Sequence, residues 1–143
     1  MAVTERLHAE GHEHVTAAHG STFEFTTDDY LTPAGDCILG IEADVAPADF
    51  SEDFVAACQD ADATITATMV AGDHSVTITG RGDSELTFQN ERSMVGRTST
   101  YVDDRTIMVE ADGAAADVDR ELVEALADGA ALEVTLTVTG VPG

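Results

Sequence analysis

The chain has 143 residues, 43% of them hydrophobic, which suffices for an ordinary packed core and argues against intrinsic disorder. Its 28 aspartates and glutamates face six arginines and no lysine, a formal net charge of -22. That balance disfavours nucleic acid as a partner, because phosphate binding draws on clustered Lys and Arg, and the two cysteines, Cys37 and Cys58, do not make a disulfide framework.

The opening stretch MAVTERLHAEG lacks the apolar centre of a signal peptide, and no apolar run in the chain reaches membrane-spanning length. A soluble, cytoplasmic protein with no membrane partner is expected. TERLHAE and STFEFTT alternate as short strands, the second placing Phe23 and Phe25 on one face and Thr22, Glu24 and Thr26 on the other. Between them GHEHVTAAH, residues 11–19, holds three of the five histidines. CILGIEA is more continuously apolar and predicts a central strand. A helix is predicted over about Asp49 to Gln59, with Phe50, Phe54, Ala57 and Cys58 forming one stripe. ATITATMV returns as a strand, and Ala71-Gly72-Asp73 turns the chain into HSVTITG. The region around 92–97, RTIMVEA and ALEVTLTVTG supply the remaining strands. The second helix is predicted over about Ala114 to Ala127, capped by Asp112, striped by Val118, Leu122, Ala125 and Leu126, and ended by Gly129.

The two halves read alike. Residues 41–60 align without a gap to residues 109–128 with nine identities, where chance in a chain this rich in Ala and Asp gives roughly two. Upstream, Gly11-His12 faces Gly82-Asp83 and Tyr30-Leu31 faces Tyr101-Val102, the spacing changing by three residues at the loop TPAGD. The expectation is a single α+β domain over 1–143, built from internally duplicated strand-strand-strand-helix-strand units, about 1–72 and 73–143. Pseudo-twofold symmetry, a mostly antiparallel sheet and two helices follow from that reading.

A repeat inside one chain separates packing positions from reactive ones. Cys58 faces Leu126 and reads as a core thiol. Cys37 faces Arg105, an odd exchange for a buried position, and reads as lying at a strand entrance beside Asp36. His12 faces Asp83 and His19 faces Asn90, polar in both copies, whereas His14 opposite Glu85 reads as a solvated surface position. These comparisons make His12, His19, Asp36 and Cys37 the candidate reactive, catalytic side of one asymmetric site. Pseudo-twofold symmetry is expected to set RSMVGRTSTYV, residues 92–102, the longest run without an acid, across from them. Its Arg92, Arg97 and Tyr101, among several hydroxyls, suit a phosphate or carboxylate and form the candidate ligand-binding side. The simpler alternative is that the two arginines pair with nearby acids such as Asp103.

Gly11-His12, His19, Thr22, Glu24, Thr26, Leu31-Thr32, Gly35-Asp36-Cys37 and Arg105-Thr106 resemble the shared positions of the archaeal domain-of-unknown-function family 371, a likeness covering nearly the whole chain. The resemblance implies an archaeal, single-domain, cytoplasmic protein and supplies no reaction. The family's asparagine at the place of His14 counts against a metal pair formed with His12. The absence of lysine in so acidic a chain reads as adaptation to a salt-filled cytoplasm, as in halophilic archaea, where molar salt shortens the screening length to about 3 Å. The function expected is a small-anion binding domain or enzyme. Two alternatives stand beside it: a zinc-dependent enzyme using His12, His19, Asp36 and Cys37, and a structural or protein-interaction module.

Overall fold

The computed structural model describes residues 2–140. Its strands are β1 (Val3–Glu10), β2 (Thr22–Thr26), β3 (Ile38–Gly40), β4 (Thr64–Ala71), β5 (His74–Arg81), β6 (Ser93–Arg97), β7 (Thr106–Met108) and β8 (Ala131–Thr139). Two helices, α1 (Glu52–Cys58) and α2 (Arg120–Ala127), each follow a short 3-10 turn, at Pro47–Asp49 and Ala115–Asp117. The chain is thus α+β, and its element order in the second half repeats that of the first. Among the described residues, no helix is long and apolar enough to cross a membrane.

The strands form two four-stranded sheets, ordered β1-β8-β4-β5 and β3-β2-β6-β7. The first is antiparallel throughout. In the second, β2 and β6 are antiparallel while the edge strands β3 and β7 lie parallel to their neighbours. Both central ladders pair one half of the chain with the other. Glu24 lies opposite Val95 in one, and Thr68 opposite Thr135 in the other.

Period-two alternation sends one face of each sheet into a shared core. Leu7, Ile65, Met69, Leu132 and Leu136 come from the first sheet, Phe23, Phe25 and Met94 from the second, and Phe54, Cys58, Leu122 and Leu126 from the helices. Phe50, Phe54 and Phe88 pack as an aromatic trio, with ring centres 5.3–5.9 Å apart. Ser51 caps α1 by accepting from the amide of Phe54, and Asp119 caps α2 by accepting from Glu121.

Three sequence expectations are corrected. CILGIEA is an edge strand of three residues, because its apolar run crosses from one sheet to the other: Ile41 leaves β3 and exchanges backbone hydrogen bonds with Glu10 of β1. Val109 does the same with Arg81, so each sheet's edge is tied to the other's. Asp112 does not cap α2. Its carboxylate accepts from the amide of Thr79, as Asp44 accepts from His8, and α2 begins eight residues later. The helices are also shorter than their apolar stripes, since Phe50 and Val118 are buried from the extended residue after each 3-10 turn.

Four non-glycine residues adopt left-handed backbone, Ala17, Glu42, Phe88 and Glu110, at a cost of about 1 kcal/mol each. Glu42 and Glu110 are held there by amide bonds to the carbonyls of Asp28 and Ser99. Gly11 and Gly82 are required for a different reason. A Cβ at either would fall on a helix-end carbonyl oxygen, of Leu126 or Cys58, and backbone cannot move aside as a flexible side chain does. Gly11→Ala and Gly82→Ala should each lower the free energy of unfolding by about 2–3 kcal/mol, read from the denaturant midpoint.

Candidate functional site

The outer face of the second sheet gathers most of the chemistry. Residues directly opposite in an antiparallel ladder point to the same side. The pairing of Thr22 with Arg97 and of Glu24 with Val95 therefore sets Thr22 and Glu24 of one half beside Arg97 of the other. The loop after β1 delivers His19 to this face. Its amide and that of Ala18 donate to the carbonyl of Asp36, and its own carbonyl accepts from Ala116. The imidazole then caps the start of β2: Nδ1 accepts from the amides of Ser21 at 3.2 Å and Thr22 at 3.1 Å, with the Thr22 hydroxyl also at 3.1 Å. Because both amides can only donate, Nδ1 is an acceptor and Nε2 carries the ring proton. His19 therefore presents a donor, and a proton acceptor is not available at Nε2.

Cys37 precedes β3, and its carbonyl accepts from Glu24 across the parallel pair. The thiol donates to Glu24 Oε1 at 3.5 Å. Burial, reinforced by the Glu24 carboxylate, pushes the thiol up to about 11, so Cys37 is a thiol and not a thiolate at neutral pH. Cys58 is fully buried, and burial alone raises its pKa far above the ordinary value.

On the other side of the midline Arg97 is 9% exposed. Its Nε donates to the Thr106 hydroxyl at 2.9 Å and its Nη2 to Asp103 at 3.0 Å, while the exposed Tyr101 ring stands 4.8 Å from the guanidinium carbon. The same Asp103 oxygen accepts from Arg105 Nη2 at 3.1 Å. Burial disfavours the Asp103 carboxylate. Hydrogen bonds from the Arg105 amide and guanidinium, with the charges of Arg97 and Arg105, outweigh it and hold the carboxyl down at about 2.

The structure thus brings His19, Cys37, Arg97 and Tyr101 to one sheet face, with Asp36 supplying a carbonyl beneath it. The pairing of Arg97 with Asp103 is the simpler arrangement weighed from the sequence. His12 stands apart from this network. Its Nδ1 accepts from the amide of His14, and the two rings pack 5.0 Å apart. His14 is half-buried, not a solvated surface residue, because its Nδ1 donates to the carbonyl of Leu31. Arg92 is exposed, 3.7 Å from Asp28, and five residues along an extended strand set it roughly 16 Å from Arg97. Thr22, Glu24, Asp103 and Arg105 were not singled out as site residues by sequence. The available signals were the resemblance, which includes Thr22, Glu24 and Arg105, and parity: Thr22 and Glu24 share the polar face of β2, and pairing β2 with β6 puts Arg97 on that face.

Among the described residues, no group of three or more His, Cys, Asp and Glu side chains is arranged to hold a metal ion. The molecule is an α+β protein of two four-stranded sheets, with a polar cluster of both charge signs spread over the outer face of one. The chain belongs to the family described as a domain of unknown function, DUF371, whose model matches residues 7–139. It is similar to an uncharacterized protein of Methanocaldococcus jannaschii, 42% identical over 123 residues that cover 86% of this chain and 90% of that protein. The family resemblance read from the sequence, and its archaeal setting, agree with these matches.

Two outcomes follow. A carboxyl whose pKa is depressed on folding stabilises the fold above its unfolded value, near 4, and that contribution is lost as pH falls toward 2. Stability should drop over that window, and Asp103→Asn should flatten the drop in denaturant titrations taken at successive pH values. Alkylation of Cys37 by iodoacetamide, followed by intact mass, should be slow at pH 8 and accelerate steadily toward pH 11.

Proposed function

We propose that the 143 residues act as one domain, two copies of one unit, that binds a small anionic ligand at a single asymmetric site on the outer face of the second sheet. The observation that carries this reading is the sharing of one carboxylate by two guanidinium groups. Arg97 and Arg105 both spend donors on Asp103, which gathers two guanidinium groups at one place, beside Glu24, in a chain of net charge -22. Neither hydrogen-bonds through Nη1 to a described residue. The Nε2–H of His19, whose Nδ1 is held at Thr22 on the same face, adds a donor, and the Tyr101 ring lies against the Arg97 guanidinium.

Binding is favoured over covalent chemistry by the state of the thiol and the ring. With its pKa near 11, about one Cys37 in ten thousand is ionised at pH 7, and the Nδ1 of His19 is committed to capping β2. The half with Cys37 and Glu24 and the half with Arg105 and Val95 occupy matching places in the two copies. One site, not two, results from that divergence. The remaining acidic surface suits a salt-rich archaeal cytoplasm and leaves nucleic acid without a basic track.

Tyr30→Phe leaves Tyr101 as the one tyrosine in a chain without tryptophan, so its emission reports on the Arg97 stack. Titration of that variant with inorganic phosphate, sulfate and citrate at constant ionic strength should give a saturable change. Arg105→Gln should weaken it about tenfold, close to 1.4 kcal/mol. A signal that tracks ionic strength alone would remove the anion reading.

A further inference from the structure

The outer face of the first sheet is chemically unlike the rest of the surface. The register places seventeen residues on it: Thr4, Arg6, His8 and Glu10 from β1, then Ala131, Glu133, Thr135, Thr137 and Thr139 from β8, and Thr64, Thr66, Thr68 and Val70 from β4. Ser75, Thr77, Thr79 and Arg81 of β5 complete it. Nine are threonines. One row, Thr4-Thr137-Thr66-Thr79, crosses all four strands without interruption, and the next runs Arg6-Thr135-Thr68-Thr77. Thr66 and Thr79 touch through their hydroxyls at 3.4 Å, and Thr68 and Thr77 at 3.5 Å, so the face is a close-set lattice of methyls and hydroxyls. Both helices bury their apolar sides in the core on the opposite side of this sheet.

Charge sets this face apart. Its own side chains include two arginines and two glutamates, a net charge of zero in a chain whose total is -22, and the carboxylates of Asp44, Asp83, Glu110 and Asp112 reach only its rims, at His8, Arg81 and Thr79. The net charge of -22 therefore lies off this face, and contacts through the rest of the surface bring like charges together on average. The neutral lattice is where two copies can come together without that repulsion. The centre of the face is the Thr68–Thr135 pair, where a strand of each half meets, and the ladder continues equivalently on either side. A surface with that internal correspondence is suited to an isologous contact, in which the same patch serves both partners.

We infer that this protein forms a homodimer by packing the threonine faces of two first sheets against each other. The occupant is a second copy of this chain. Four strands about 4.8 Å apart and roughly eight residues long present about 500 Å² per copy in plan, which sets the pair near the lower bound of about 1,000 Å² for a specific contact. Threonine suits such a seam: its methyl packs between sheets, its hydroxyl finds a partner across them, and it brings no charge. The ligand site lies on the other sheet, so the dimer leaves it open, and this inference stands independently of the anion reading.

Light scattering coupled to size exclusion tests the inference, with loadings from about 10 µM to 1 mM protein in dilute and in molar KCl, spanning the dissociation range of a contact this size. The expected result is a two-chain mass at the higher loadings. Thr135→Glu and, separately, Thr77→Glu on the outer strand β5 should each raise the dimer dissociation constant at least a hundredfold. Far-ultraviolet circular dichroism of each variant identifies any that has failed to fold. Asp53→Ala, in the first turn of α1, should leave the mass unchanged. A one-chain mass at every loading would overturn the inference, and so would a dimer that survives glutamate at both positions in folded protein.

Discussion

Two antiparallel ladders hold the molecule together, β2 against β6 and β4 against β8, and each joins a strand of the first half of the chain to one of the second. Every sheet position is counted outward from those central pairs. Because side chains alternate strictly along a strand, choosing Glu24 opposite Val95 decides that Thr22 stands beside Arg97 and that Phe23 faces the core across Gly96. A slip of one residue would put the phenylalanines in water and the arginine among methyl groups. The large apolar rings make that register costly to change, and so they also fix the polar cluster on the far side.

That cluster shows how burial and charge trade against each other in a chain with few cations. Arg97 is nearly inaccessible, which would be prohibitive for an isolated guanidinium, but Asp103, Thr106 and the Tyr101 face supply partners on three sides. Asp103 in turn is ionised deep into acid because two arginines need it. Cys37 experiences the opposite sign. A neighbouring carboxylate and a dry setting keep its proton on. Cys37, just before β3, and Arg105, just before β7, thus sit in fields that differ through what surrounds each of them.

Much of this architecture could be read from residue order. The alternating strands β1, β2, β4, β5 and β8 declare themselves by period, and the helix stripes are apparent because Phe54 and Leu122 recur at matching positions. The edge strands were misleading, since an apolar run that bridges two sheets has the same composition as one buried between neighbours. The N-cap of α2 was misleading for a related reason. Asp112 and Asp119 are both aspartates ahead of a helix, and only the path of the backbone shows that the first belongs to Thr79. Of the site, His19, Cys37, Arg97 and Tyr101 were legible as unusual residues. Thr22 and Glu24 were not, because a threonine and a glutamate on the polar side of a strand look like ordinary surface until the facing strand is known.

The order of strands in the first sheet carries one more consequence. β8 lies between β1 and β4, so the earliest segment of the chain pairs with the latest, and the two strands contributed by the first half never touch. During synthesis on a ribosome the first seventy residues have no complete sheet to join, and their apolar faces wait for a strand not yet made. Native pairing of β1 therefore waits until residues 131–139 are free to lie between it and β4.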